Sequence, residues 1–284
     1  MDNGIAGLDH VIVGVRNLER ARLGWMRLGF TLTPRGRHIG QGTANYCIMF
    51  RRDYIELLGF VERDEYGHRL EAFLAQREGP MSVAFAPARN AGATRETLLA
   101  LGLHPGEPRA LGRALELPEG AVVPRFSLLT LPPEETPALD CFVCGHLTPD
   151  LVRRPSWLSH SNGTSGIKSV SLLVAEPAAL EPAYVRLAGR EQVNRGSGEL
   201  AVKIGRHRLT FTTAHRFQTT HPGVAVPDDV PMPGIVALEL AVRSRKRTAS
   251  YLQKEGVVFD ELPDGRLAVA PGEANGTIVI FADA

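Results

Sequence analysis

The sequence predicts an α+β chain of four βαβββ units, paired into two open β-barrels, and three observations lead there. One order of elements recurs four times, three strand-like stretches follow each helix, and proline-rich connectors separate units. Repeats are read before local motifs, because a missed period mis-assigns the whole fold.

The first unit opens with the strand Leu8 to Val15. Asn17 then caps a helix running through Arg20, Ala21, Trp25 and Leu28, which Gly29 closes. Strands follow at Phe30 to Arg35, Asn45 to Arg51 and Asp53 to Phe60. The second unit has a strand from Met81 to Ala86, a helix from Ala91 to Leu101 ended by Gly102, and strands at Arg109–Leu117, Arg125–Leu131 and Leu139–Leu147.

The third unit runs from the strand Ile167–Val174 through a helix at Ala178–Leu187 to strands at Glu191–Arg195, Leu200–Ile204 and His207–Thr213. Pro182 weakens that helix unless it lies in the first turn. The fourth has the strand Ile235–Val242, a helix at Arg245–Lys254 ended by Gly256, and strands at Val257–Glu261, Arg266–Ala270 and Thr277–Phe281. The stretches Pro149 to Gly166 and His221 to Gly234 read as connectors.

One such unit leaves a curved sheet face open, so units must pair to bury it, which predicts halves over residues 1–155 and 166–284. A doubly wound α/β domain needs a helix after nearly every strand, and the triplets of strands argue against it.

Lys plus Arg (32) nearly cancels Asp plus Glu (31), which leaves no electrostatic footprint for nucleic acid or a membrane surface. The partner expected is a small-molecule substrate. No apolar run approaches the roughly 20 residues that cross a bilayer, and Met1-Asp2-Asn3-Gly4 lacks a basic region followed by an apolar stretch. A cytoplasmic location is the expectation. Three cysteines do not make a disulfide scaffold. Cys141 and Cys144 lie on one predicted strand and, three apart, face opposite ways, so a buried structural pair is expected rather than a dithiol switch or zinc knuckle.

Leu8-Asp9-His10-Val11, with Tyr54-Ile55-Glu56-Leu57-Leu58-Gly59 closing the first unit, resembles the glyoxalase/bleomycin-resistance (vicinal oxygen chelate) superfamily. Arg35-Gly36-Arg37-His38 and Gly42-Thr43-Ala44-Asn45 resemble its glyoxalase-like subgroup, as do His146-Leu147-Thr148-Pro149 and the segment from Trp157 to Gly163. The resemblance implies two glyoxalase-like pseudo-domains, the second degenerate, and a homodimer is consistent with it.

It also implies a divalent metal (Zn, Mn, Fe or Ni) inside the first barrel, with His10 and Glu56 at two ligand positions and Glu56 as the catalytic carboxylate. Imidazole and carboxylate suit those ions, which act as Lewis acids or activate dioxygen. The second unit departs from the pattern. Ser82 stands where a second histidine is common, and 139–147 holds no carboxylate. His146 shares strand parity with Phe142 and Cys144 and is the expected third ligand.

Glu56 in an apolar strand must find a metal, a cation or a proton, and Arg37 or Arg125 would serve as the cation. Arg37 and His38, with Arg35 beside them and Arg125 beyond, are expected to bind an anionic substrate. Turn-stabilising roles suit Thr43 and Asn45, and Trp157, His160 and Asn162 lie in a connector for which linker packing is expected ahead of a lid over the first cavity. Ser169 and Ala237 stand at the positions aligned with His10, so the later units read as ligand-poor and structural. Two functions follow from the resemblance: a metal-dependent isomerase, lyase, epimerase or dioxygenase, or a metal-free binding protein of the bleomycin-resistance type.

Overall fold

The computed structural model describes residues 3–62 and 68–284; Met1 and Asp2, part of the amino-terminal segment read above, lie outside them. The chain is mixed α+β and carries two curled sheets.

The first sheet is built from β1 (Ile5–Gly14), β2 (Gly36–His38), β3 (Thr43–Met49), β4 (Tyr54–Phe60), β5 (Gly79–Pro87), β6 (Arg109–Leu117), β7 (Gly120–Val122), β8 (Arg125–Thr130) and β9 (Cys141–His146). Their order is β2-β3-β4-β1-β5-β9-β8-β6-β7. Residues 36–38 of β2 also pair antiparallel with 113–115 of β6, so eight strands close into a barrel. Closure satisfies the strand edges that an open sheet would leave unpaired.

Leu8 pairs with Phe85 and His10 with Ala84, so Asp9 is an extra residue on β1. A bulge of this kind bends the strand and re-aims neighbouring side chains. Here it leaves Asp9 and His10, adjacent in sequence, both buried and in contact.

Helix α1 (Leu18–Arg27) starts where the Asn17 side chain accepts a hydrogen bond from the Arg20 amide, and Gly29 just past its end has φ +92°. It buries Leu18, Ala21 and Trp25. Pro34 removes a donor from the segment predicted as a strand at 30–35, so pairing in β2 starts only at Gly36. Helix α2 (His68–Gln76), which follows β4, was not legible in the repeat; α3 (Ala91–Ala100) matches its expectation.

The second sheet repeats the plan with β10 (Thr164–Leu173), β11 (Val193–Gly196), β12 (Glu199–Ile204), β13 (His207–Thr212), β14 (Gly234–Val242), β15 (Phe259–Glu261), β16 (Leu267–Val269) and β17 (Ile278–Asp283). Its order, β11-β12-β13-β10-β14-β17-β16-β15, leaves β11 and β15 unjoined and the sheet open. Pro182 sits in the first turn of α4 (Glu181–Ala188), the position a proline tolerates. Helix α5 (Ala214–Thr220) packs Phe217 into this half, and α6 (Arg245–Lys254) follows the Ser244 cap. A bulge like that of β1 recurs at Lys168: Ile167 pairs with Leu240 and Ser169 with Glu239.

One apolar cluster spans both halves, running from Val11 and Trp25 to Phe211 and Phe281. Asp53, fully buried, joins them by polar contacts: it accepts from the Ile167 amide and pairs with Arg206 and with His207, whose Nδ1 accepts from the Leu8 amide. Among the described residues no helix is long and apolar enough to cross a membrane.

Candidate functional site

Strands β1 and β4 run parallel side by side, with His10 opposite Tyr54 and Ile12 opposite Glu56. Two residues along a strand return to the same face, so His10 and Glu56 both enter the barrel. His10 Nε2 lies 3.4 Å from Glu56 Oε2, and both side chains are buried. They line a cavity of about 230 Å³ whose walls include Leu58, Leu70, Leu111, Phe126, Leu128 and Phe142.

The other atoms of the pair are engaged. His10 Nδ1 stands 2.8 Å from Asp9 Oδ2, and its ring stacks on Tyr54 at 4.4 Å. Burial by itself pushes the Asp9 carboxyl up, but the charge of His146 and hydrogen bonds from His10 and His146 hold it well below the usual carboxylate range. Asp9 is therefore an acceptor for His10 Nδ1–H, and Nε2 is the nitrogen turned to Glu56. Glu56 stays ionised: burial raises its pKa, and the charges of His10, His38 and Arg113 with the Asn45 amide lower it further. Asn45 Nδ2 donates to Glu56 Oε1 at 2.6 Å.

His38 comes to the same carboxylate from the barrel seam. Its Nε2 is 3.7 Å from Glu56 Oε1, while its Nδ1 meets Thr43 Oγ1 at 2.9 Å. Burial holds its pKa below the usual histidine value despite the pull of Glu56. Two imidazole nitrogens and one carboxylate thus converge on the cavity.

The seam also supplies the cation. His38 pairs in register with Arg113 and Arg37 with Ala114, so strand alternation points His38 and Arg113 inward and Arg37 outward. Arg113, 3% exposed, donates to Cys47 Sγ at 3.1 Å and lies over the Phe126 ring. Arg37 instead forms an exposed pair with Glu62, and Arg35 pairs with Glu116. Arg125 is also turned outward, because its neighbours Phe126 and Leu128 take the cavity face of β8. Neither Arg37 nor Arg125 is brought to Glu56.

His146 is not brought to the pair either. Its Nε2 is 3.1 Å from Asp9, on the Nδ1 side of His10 and away from Glu56. Among the described residues Asp9, Cys144 and His146 are the one group of three such donors whose ligand atoms all lie within 4.8 Å of one another; those of His10, His38 and Glu56 are spread more widely. Ser82 lines the cavity and donates to the Asp140 carbonyl. Burial pushes the Cys47 thiol up to about 11 and that of Cys141 to about 12, so these cysteines are protonated. Cys141 and Cys144 are free and join different apolar clusters. Trp157, His160 and Asn162 pack the connector: His160 accepts from the Thr31 amide and meets the Met49 carbonyl, and Asn162 donates to the Leu28 carbonyl.

Asp9 and Arg113 escaped the sequence reading. Period-two alternation would send Asp9 to the face opposite His10, and an arginine in a strand reads as exposed. The one signal was the acidic residue beside His10.

A fold of paired βαβββ sheets with a histidine and a carboxylate facing each other inside one barrel defines a class, and the comparisons agree. The model of the glyoxalase-like domain family matches residues 8–188, more than half of the chain; the protein belongs to that family. A hypothetical protein from Staphylococcus aureus superposes with a TM-score of 0.68 at 12% identity, over 98% of this chain and 99% of that one. A mutant 4-hydroxymandelate synthase from Streptomyces coelicolor gives 0.58 at 10% identity over 98% and 92%. A fusion protein of a xylose isomerase-like TIM barrel and a 4-hydroxyphenylpyruvate dioxygenase gives 0.54 at 14% identity over 99% and 49%. At such identities the likeness is one of fold. No curated protein sequence matches the chain.

Proposed function

We propose that the protein is a metal-dependent enzyme acting on a small oxygenated organic substrate in the first barrel, with His10, Glu56 and His38 as the metal ligands. The observation that carries this is the convergence of His10 Nε2 and His38 Nε2 on Glu56, at 3.4 and 3.7 Å. Imidazole nitrogens held against an ionised carboxylate need a proton or a cation between them, and two imidazoles with one carboxylate suit a divalent transition metal.

When bound, such an ion supplies Lewis acidity to a substrate carbonyl or oxyanion. The chain's own residues do the rest. Asp9 fixes the His10 tautomer and ring orientation, the outer-shell role carboxylates play for ligating histidines. Asn45 orients Glu56, whose second oxygen faces His10. Arg113 keeps Glu56 ionised and adds positive potential on the seam side. Phe126, Phe142 and Leu128 exclude water and grip the apolar part of a substrate. Isomerase, lyase, epimerase and dioxygenase chemistry all fit this arrangement.

A metal-free binding protein is the second reading, favoured by Ser82 and by the lack of a carboxylate on β9. Elemental analysis of the purified chain and three variants separates these readings. About one metal per chain is expected, lost in His10→Ala and Glu56→Gln and kept in Cys144→Ser. Loss only in Cys144→Ser would move the ion to the cluster of Asp9, Cys144 and His146. A wild-type chain that takes up no divalent ion would support the binding protein.

A further inference from the structure

The second sheet holds a trough of about 510 Å³ in the place that the first sheet gives to its site. The ladders set the correspondence. His10 and Ile12 face Tyr54 and Glu56 on β4, and Ser169 and Ser171 face Arg208 and Thr210 on β13. Where the first barrel offers imidazole and carboxylate, this trough offers hydroxyls and a guanidinium.

Ser169 is 4% exposed and Ser171 9%, yet among the described residues neither side-chain hydroxyl has a hydrogen-bond partner, and neither has that of Thr210. Two of these hydroxyls sit on nearly buried serines and the third on the half-buried Thr210, and all three open on the trough, a concave wall suited to an occupant rich in oxygen.

The charges say which sign. Arg266 spends its donors on Glu239, Asp264 and the Thr220 carbonyl, so it is neutralised. Arg245 is paired with Asp283 and Arg216 with Glu199. Lys168 donates to the Asp283 carbonyl and stands 3.7 Å from Glu239, which shares its charge with Arg266. Arg208 has no ion pair among the described residues. The carboxylates are matched and one guanidinium is left over, beside the unpartnered hydroxyls.

We infer that this trough is a second binding site, for a small hydroxylated anion whose phosphate or carboxylate meets Arg208 and whose hydroxyls meet Ser169, Ser171 and Thr210. Its volume lies within the usual range of small-molecule sites, about 300–1,000 Å³. The expectation that this half is merely structural is replaced by a binding role, one that does not depend on any metal in the first barrel.

Titration calorimetry of the full chain, at ionic strength fixed with sodium chloride, tests it with inorganic phosphate, gluconate and neutral glucose as probes. One or both anions should bind and glucose should not; phosphate alone or gluconate alone identifies the charged group. Arg208→Gln should weaken binding by roughly tenfold or more, the scale of a charge-assisted hydrogen bond. Thr210→Val should weaken it less, and Lys203→Gln, an exposed cation on β12, should not change it. Arg208 is exposed, so its variant folds. Failure of both anions to bind, or equal affinity in wild type and Arg208→Gln, would overturn the inference.

Discussion

Asp9 holds two imidazoles on one carboxylate, His10 at 2.8 Å and His146 at 3.1 Å. Replacing it with Asn keeps the shape but removes the charge that fixes the His10 proton on Nδ1. Metal titration of Asp9→Asn should show affinity reduced about 10- to 100-fold, the usual cost of losing an outer-shell partner; unchanged affinity would separate Asp9 from the site. His38 and Arg37, neighbours in sequence, should behave oppositely. Arg37→Gln breaks only an exposed pair with Glu62 and should shift unfolding free energy by less than about 0.5 kcal/mol, without effect on metal content. His38→Ala should lower metal content, and equal metal uptake in both variants would end its ligand role. At this scale His10 and Glu56 were singled out by the resemblance of Leu8–Val11 and Tyr54–Gly59 to the superfamily, and the pairing of β1 with β4 sets them side by side. Asp9 was not, because a one-residue bulge leaves no mark in a hydrophobic pattern. The faces taken by Arg37 and His38 depended on the register of β2 with β6, which sequence does not state.

Among the elements, the short β2 does most to define the cavity, since its pairing with β6 closes the barrel and seats both His38 and Arg113. Gly36 is required there. An added Cβ would meet Asn45 Oδ1 and lie 2.7 Å from Arg113 Cδ, so Gly36→Ala should cost about 1–3 kcal/mol in urea unfolding and disturb metal uptake as well. The connector after β9 carries a different signal. Burial lowers the His160 pKa from 6.5 to about 4, so the unfolded chain binds its proton more readily than the folded one. Its contribution is complete above about pH 6.5 and is lost as pH falls toward about 4, a total of about 3 kcal/mol. Urea melts from pH 7 to pH 4.5 should show this decline in wild type and not in His160→Gln; parallel curves would reject it. The order of strands and helices was readable from the repeat, and so were the Asn17 and Gly29 boundaries of α1. Helices α2 and α5 lie at matching places after β4 and β13, outside the βαβββ unit from which the elements were read, and Pro34 displaced β2 from its expected position.

Across the whole molecule the two sheets share one large apolar cluster, beside a smaller one inside each half. Asp53 ties them from within, and it directly precedes Tyr54 and lies three residues before Glu56. Asp53→Ala leaves the buried His207 ring and the Ile167 amide without their acceptor and should cost about 1–3 kcal/mol for each donor left unsatisfied. Calorimetry should still show a single transition, lowered in temperature; two separated transitions would mean independent halves. The sequence could announce two sheets because each repeats internally, but the contact between them belongs to no repeat.

The shared core also governs what a broken backbone does. Pro155 and Ser156 lie exposed in the connector between the sheets, and neither takes part in the contacts that tie Asp53 to Ile167 and Leu8 to His207. A protease site engineered at Ser156 should therefore yield two peptides that co-elute as one particle and part only in denaturant. Covalent continuity would then be needed to bring the halves together during synthesis, and dispensable once they have met.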